Sequence, residues 1–322
     1  MRSLRSLGLL GLYIGAQVVA LLLAAPFKAA GLASTTNPNS PTDPIYIIVL
    51  IVLVPIPIIW FASRKGGPAV LRALILLGIS ASLFITLQAA LALLTPAPFF
   101  LGSPQAGAIG DWSVPLAGVL AVSLLLALTI EPQWYIVDLA GFVAAGSLTA
   151  LLGISFGILP TFILLIALMV YDAIAVYGTK HMITLADVVT EMKVPILMVM
   201  PASPGFDYTQ SGGLKAQQGK PREEREAMFM GLGDIVIPGT LVVSAFISLP
   251  ARVAAFGIGG NLLAALGALV GSLVGYAVLV RLVNRGNAQA GLPFLNGGAL
   301  AGYAITYLLV FHHATLGLQL SL

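Results

Sequence analysis

The sequence contains no cysteine among its 322 residues, and charged residues are scarce. The absence of cysteine excludes disulfides, thiolate metal sites and cysteine nucleophiles. Only 8% of the residues are Asp, Glu, Lys or Arg, whereas about a quarter are charged in soluble domains. Three histidines are present, but the His-Glu-x-x-His pattern of zinc proteases is not. We therefore expect no ordinary soluble domain, no thiol chemistry, no metal site and no cofactor.

Long apolar runs dominate what is present. Hydrophobic residues make up 59% of the chain, and the mean hydropathy is +1.02. A helix needs about 20 apolar residues to cross a bilayer. We count nine runs of that kind, at 7–27, 45–62, 69–95, 114–130, 135–155, 158–179, 228–249, 260–283 and 292–312. The sequence therefore predicts an all-α polytopic membrane protein with nine transmembrane helices, surrounded by lipid.

Lysine and arginine are distributed unevenly between the two sides of the predicted membrane. With the N-terminus in the cytoplasm, thirteen of the 15 basic residues lie inside, and only Lys28 and Arg252 lie outside. This asymmetry is the positive-inside signature. It places the N-terminus and the long loop 180–227 in the cytoplasm and favours a multi-pass protein of the cell (plasma) membrane. Because these basic residues flank membrane spans, the net charge of +3 predicts no nucleic-acid partner.

Two acidic residues stand apart from the other ten. Most acids lie in predicted loops, and Glu131 and Asp138 lie at a helix boundary that we expect headgroups and water to reach. Only Asp172 and Asp234 lie well inside apolar runs. An ionised carboxylate at membrane depth costs several kcal/mol, so such residues usually serve a function. They lie roughly 13 Å and 9 Å from the cytoplasmic ends of consecutive predicted helices, which indicates a similar depth.

Two carboxyl groups at one depth predict an aspartic-protease dyad. In such a pair one carboxylate takes a proton from water while the other carboxyl donates to the scissile carbonyl. Asp234 follows Gly231-Leu232-Gly233 directly. Glycines without a Cβ would let a substrate backbone pass close to Asp234. The alternative is that these glycines only pack against another helix.

The predicted cytoplasmic loop has two parts. Residues 211–226 are rich in glycine and then charged, which is typical of a mobile linker. Residues 194–200 are apolar and β-prone, between Pro195 and Pro201. They are either a loop resting on the membrane surface or a strand edge near the active site. In the second case the backbones at Leu197 and Val199 would bind substrate by strand addition.

Three glycines at four-residue spacing occur in the run 260–283, namely Gly267, Gly271 and Gly275. This spacing places a groove on one helix face, which lets another helix backbone approach closely. We interpret these glycines as packing residues.

These motifs resemble the presenilin and signal peptide peptidase family of intramembrane aspartyl proteases (the Gly-x-Gly-Asp type). The resemblance rests on Tyr171-Asp172, on Gly231-Leu232-Gly233-Asp234 and on the nine predicted spans. It implies that Asp172 and Asp234 are catalytic and that Tyr171 and Leu232 lie near the substrate. The stretch 231–239 looks more like the signal peptide peptidase branch, whereas the cytoplasmic loop looks presenilin-like. This mixture is typical of a microbial, archaeal presenilin homologue.

The sequence departs from the family at one motif. The family has Pro-Ala-Leu at the start of the ninth helix, where this chain reads Ala290-Gly291-Leu292-Pro293. Leu292 matches the motif leucine, and Pro293 matches the proline that follows it in presenilins. We expect this stretch to be a second edge for an unwound substrate. Presenilins work with accessory subunits and signal peptide peptidases work alone. Nothing in this sequence requires a partner subunit, and it leaves the oligomeric state open.

The resemblance divides the chain into a membrane scaffold at 1–157 and a catalytic membrane region at 158–322, which cleaves peptide bonds within transmembrane substrates. Two alternatives stay open. Buried acids also serve as ion sites in secondary transporters and cation channels, although no clear inverted repeat is present. Prepilin-type peptidases share Gly231 to Asp234, but their motif continues into a lysine where this chain has Val236.

Overall fold

The computed structural model describes residues 2–94, 113–179, 190–203, 205–209, 226–251, 257–283 and 289–318. The predicted linker 211–226 lies almost wholly outside the described residues. Within them the chain forms helices and one small sheet. In chain order the elements are α1 (Arg2–Ala29), α2 (Asp43–Leu53), α3 (Pro55–Ala62), α4 (Gly67–Leu94), α5 (Ser113–Ile130), α6 (Trp134–Ser155), α7 (Ile158–Ala173), a π-helix (Ile174–Gly178), β1 (Leu197–Pro201), β2 (Ala227–Gly231), α8 (Gly233–Ser248), α9 (Gly260–Val283) and α10 (Leu292–Phe311).

The predicted membrane class is confirmed. Among the described residues, 8 helical stretches are long and apolar enough to cross a membrane. They correspond to eight of the nine predicted spans, and α8 is the ninth. The predicted span 45–62 is interrupted near Val54, where α2 ends and Pro55 begins α3. Proline has no N–H to continue a helical hydrogen-bond ladder, which accounts for the break.

The helix that carries Asp234 begins later than predicted. Residues 228–231 are not helical but form β2, and α8 starts at Gly233. With 16 residues, α8 is about 24 Å long, which is shorter than the roughly 30 Å hydrocarbon core. These residues form a strand because they pair with β1, which lies about thirty residues earlier in the chain. The apolar pattern of four residues cannot distinguish such a strand from the first turn of a helix.

Helix α8 lies at the centre of the helical core. It contacts α1, α6, α7, α9 and α10. Its residues from Ile235 to Ala245 are all buried. Because helices surround it on every side, α8 can be apolar all round and shorter than its neighbours. Asp234, in the first turn, lies next to this buried stretch and is itself partly buried.

The glycine-rich face of α9 packs on α10, as the glycine spacing predicted. A Cβ at Gly271 would overlap the backbone of Gly298, and one at Gly275 would overlap the backbone of Phe294. A Cβ at Gly267 would overlap the side chain of Thr306. The two helices therefore approach at backbone contact, and α9 holds α10 in place.

The sheet consists of β1 and β2, paired antiparallel with Leu197 opposite Gly231 and Val199 opposite Phe229. Leu232 donates its N–H to the carbonyl of Ile196 at 2.9 Å. Hydrogen-bonded pairs alternate with non-bonded pairs along an antiparallel ladder. Opposite residues that are not bonded to each other, such as Val199 and Phe229, therefore direct their backbone groups away from the partner strand. β2 ends at Gly231, so the sheet leads directly into the first turn of α8, which carries Asp234.

Candidate active site

Asp172 lies in the last turn of α7, just before the π-helix. Its side chain is 7% exposed. Its Oδ2 accepts a hydrogen bond of 3.0 Å from the backbone N–H of Leu292, and the backbone of Gly291 also interacts with this carboxyl. The first residues of α10 thus hold Asp172 in a fixed position.

Asp234 lies in the first turn of α8, and Leu232 connects this helix to the end of β2 at Gly231. Backbone N–H groups at the start of a helix favour a carboxylate there. The backbone of Gly231 interacts with the Asp234 carboxyl, and Asp172 is close enough to interact with it electrostatically. The two acids that the sequence singled out are therefore brought together where the C-terminal end of α7 meets the N-terminal end of α8.

The segment just before α10 lies against both acids through Gly291 and Leu292. A Cβ on Gly291 would lie 3.0 Å from Oδ1 and 3.2 Å from Oδ2 of Asp234. The next residue, Leu292, binds Asp172. Tyr177 in the π-helix fixes the same segment, because its hydroxyl accepts from the N–H of Ala290 at 3.2 Å and bonds to Oε1 of Gln289 at 2.8 Å. Three elements, α7, α8 and the start of α10, thus converge on one paired-carboxyl site.

This arrangement of two carboxyls in a helical membrane core agrees with the comparisons to known proteins. Residues 10–312 match the family described as signal-peptide peptidase, presenilin aspartyl protease. The chain belongs to this family. It is an intramembrane aspartyl protease, and hence a hydrolase and an integral multi-pass membrane protein.

Two solved structures, both titled as a presenilin family intramembrane aspartate protease, resemble the chain along nearly its whole length. The one in the C222 space group shares 28% identity at a TM-score of 0.64, with 94% of this chain and 99% of that chain covered. The one in the P2 space group shares 30% identity at a TM-score of 0.61, with 92% and 95% covered. A search of the curated proteins found no match.

The glycines beside Asp234 do not serve helix packing in this protease. Among the described residues, a Cβ on Gly233 would meet no atom within 4 Å, and one on Gly231 would meet only the Asp234 carboxyl, at 3.5 Å or more. Leu232 between them is buried and packs in the core. Tyr171 is half-buried against the same core and interacts electrostatically with Asp172. The space in front of Gly233 is open beside the carboxyl pair.

The segment 194–200 does contain a strand, but its outer edge is already occupied. Val199 is fully buried, and its N–H donates to Oδ1 of Asp138 at 2.7 Å. Val199 therefore cannot offer this donor to a substrate. By the ladder alternation, Leu197 directs its backbone to the same edge. The edge that leads to Asp234 belongs instead to β2, through Phe229 and Gly231.

The expected second edge at Leu292 and Pro293 is not extended. Gly291 has helical dihedrals (φ −80°, ψ −47°), α10 begins at Leu292, and Pro293 lies in its first turn. Proline is favoured at the start of a helix because its ring fixes φ and its missing N–H is not needed there. Pro293 thus starts α10, and the N–H of Leu292 binds Asp172 rather than a strand.

Two polar residues near the site were not identified from the sequence. Asp138 was expected at a wet helix boundary but is only 6% exposed. Gln17 of α1 is fully buried, and its Nε2 donates to the carbonyl of Ile235 at 2.8 Å, in the space left by Gly239. An uncharged glutamine in an apolar run gives no signal of its partner. Asp138 could have been recognised as a buried acid from the sequence, since it lies near the start of an apolar run.

Proposed function

We propose that Asp172 and Asp234 form the catalytic pair and hydrolyse peptide bonds within transmembrane segments. The supporting observation is that both carboxyls interact with each other and with the short segment Gly291–Leu292. Two carboxyls that interact in this way can act together when one is ionised and the other is protonated.

The chemistry needs one ionised and one protonated carboxyl. The ionised group takes a proton from water as the water oxygen bonds to the scissile carbonyl carbon. The protonated group donates its proton to the carbonyl oxygen, which gives a tetrahedral diol. Collapse of the diol breaks the C–N bond, and the departing nitrogen receives a proton from a carboxyl. The atoms balance without any further reactant.

A transmembrane substrate must unwind before its carbonyl can be attacked. Each backbone group that loses its partner in hydrocarbon costs several kcal/mol, so the site must supply new hydrogen bonds. We propose strand addition to the outer edge of β2. Phe229 directs its backbone away from β1, and Gly231 on the same edge reaches Asp234. A strand added there would run toward the carboxyl pair past the open side of Gly233.

The remaining assignments follow from the sequence. We infer that the N-terminus is cytoplasmic, that the protein resides in the cell membrane and that it cleaves without accessory subunits. Residues 1–157 serve as scaffold and 158–322 as the catalytic region. α7, α8 and α10 of the second region supply the residues around the carboxyl pair.

Isosteric variants of the two acids test the function. Asp172→Asn and Asp234→Asn should each reduce cleavage of a transmembrane peptide by at least about 10²–10⁴-fold, because neither carboxyl can fill both roles. Glu131→Gln, at an exposed acid on the loop before α6, should cleave as the wild type does. Purified protein in detergent, with the thermal unfolding midpoint as a folding check, provides the measurement. Substantial cleavage by either Asn variant would refute the assignment.

A further inference from the structure

The buried acid Asp138 has no role in the chemistry described above. It lies in α6, is 6% exposed, and accepts the Val199 N–H at 2.7 Å. Within the described residues it forms no ion pair. Burying a carboxyl group is costly unless hydrogen bonds compensate, and a buried N–H left without an acceptor is costly as well. The bond to Val199 therefore fixes β1 to α6, because each partner satisfies the other.

The bond covers the one edge of the sheet that does not lead to the catalytic pair. The N–H of Val199 points away from β2, so Asp138 binds the outer edge of β1 at its middle residue. Pro201, the next residue on this edge, has no N–H to offer. Asp138 satisfies the central donor of this buried edge and thereby links β1 to α6.

The outer edge of β1 is packed against α6, since Val199 on that edge is fully buried. A cavity of about 450 Å³ lies between α1 and α6, with Asp138 and Met200 of β1 in its wall. Across the sheet, the outer edge of β2 ends at Asp234. Because β2 is paired with β1 along its whole length, the position of that edge depends on where β1 is held.

We infer that Asp138 is a positioning residue, which ties the outer edge of β1 to α6 and so sets where β2 offers its own outer edge to the substrate. Asp138 touches no reacting atom in this role. It acts through Val199, by holding β1 against α6 and thereby setting where β2 lies relative to Asp234. The inference rests on the proposed strand addition.

Two substitutions at Asp138 separate the hydrogen bond from the charge. Asp138→Leu removes the acceptor, whereas Asp138→Asn keeps an oxygen that can accept the Val199 N–H. For a transmembrane peptide, Asp138→Leu should lower kcat about tenfold or more with little change in KM, since a small misplacement of the scissile bond is enough for such a loss. Mass spectrometry should show cleavage spreading to neighbouring bonds. Asp138→Asn should restore both rate and position.

Val199→Pro examines the same bond from the donor side and serves if Asp138→Leu does not fold. Proline is tolerated at this position because the Val199 N–H does not pair with β2. It should reproduce the Asp138→Leu phenotype, and the double variant should be no worse than either single one, because both remove one hydrogen bond. Thr149→Val, at another buried polar residue of α6, is the control and should cleave normally.

Three results would overturn the inference. The first is wild-type rate and cleavage position in Asp138→Leu. The second is a defect that Asp138→Asn does not restore. The third is an equal loss on a short, already extended peptide, which would mark a general folding defect. Failure of strand addition itself is detected separately with Phe229→Pro. If that variant impairs cleavage and Asp138→Leu does not, only the role of Asp138 is refuted.

Discussion

The backbone N–H of Leu292 donates a 3.0 Å hydrogen bond to Oδ2 of Asp172, across 120 residues of sequence. The neighbouring Gly291 faces Asp234 closely enough that a Cβ would lie 3.0 Å from its Oδ1. Two consecutive residues at the start of α10 therefore set the positions of both carboxyls. These two residues belong to Ala290-Gly291-Leu292, the stretch that the family resemblance aligns with Pro-Ala-Leu.

Gly291→Ala introduces the alanine of the family motif. Asp234 must then shift by a few tenths of an ångström, because the Cβ would sit 3.0 to 3.2 Å from its carboxyl atoms. We expect kcat to change by less than about tenfold, whereas the larger Gly291→Val should abolish cleavage by displacing the carboxyl. Gly297→Ala on the same helix is the control, since its Cβ would meet only Met169 Sδ at 3.9 Å. Full activity of Gly291→Val would contradict this close contact.

Gly233→Ala tests whether the open space beside Asp234 receives substrate. No atom of the part of the chain that the structure describes lies within 4 Å of the added Cβ, so the thermal midpoint should not fall. Cleavage should drop, because the methyl group would occupy the path of the substrate backbone. Gly271→Ala should behave in the opposite way, with a loss of stability of about 1–3 kcal/mol from overpacking α9 against α10. Normal kcat/KM in Gly233→Ala would show that this glycine is not a substrate contact.

A shared proton predicts a bell-shaped dependence of kcat/KM on pH. At low pH both carboxyls are protonated and no base remains to activate water. At high pH both are ionised and no acid remains to protonate the carbonyl. Activity should therefore fall on both sides of a maximum while circular dichroism shows an unchanged helical content. A flat profile from mildly acidic to alkaline pH would argue against a carboxyl pair.

Phe229→Pro tests strand addition to β2. Phe229 is opposite Val199 in a non-bonded pair, so proline removes an outward N–H and leaves the bonds to β1 intact. We expect slower cleavage of a transmembrane peptide and a smaller effect on a short extended peptide, which needs no unwinding. Phe229→Leu, which loses the ring but keeps the N–H, should cleave both peptides nearly as the wild type does. Equal rates for Phe229→Pro and Phe229→Leu would exclude this edge.

The membrane class, the spans and the two acids could be predicted from the sequence because each depends on local properties. Hydropathy over about 20 residues identifies a span wherever its neighbours lie. The cost of burying a charge singles out Asp172 and Asp234 in the same way. The glycines of α9 were also interpreted correctly, since their spacing alone defines a helix face. Each of these features can be recognised from residues that are close together in the sequence.

Pairings between distant segments were decided only by the tertiary structure. Residues 228–231 were predicted as helix and form β2, because β1 supplies hydrogen bonds that no local periodicity encodes. Asp138 was expected in water, and Val199 as a substrate donor, yet the two bind each other 61 residues apart in sequence. The sequence by itself determined which residues are costly to bury in a membrane. The tertiary structure determined which backbone groups compensate that cost, because a hydrogen bond depends on positions in space that distant parts of the chain set together.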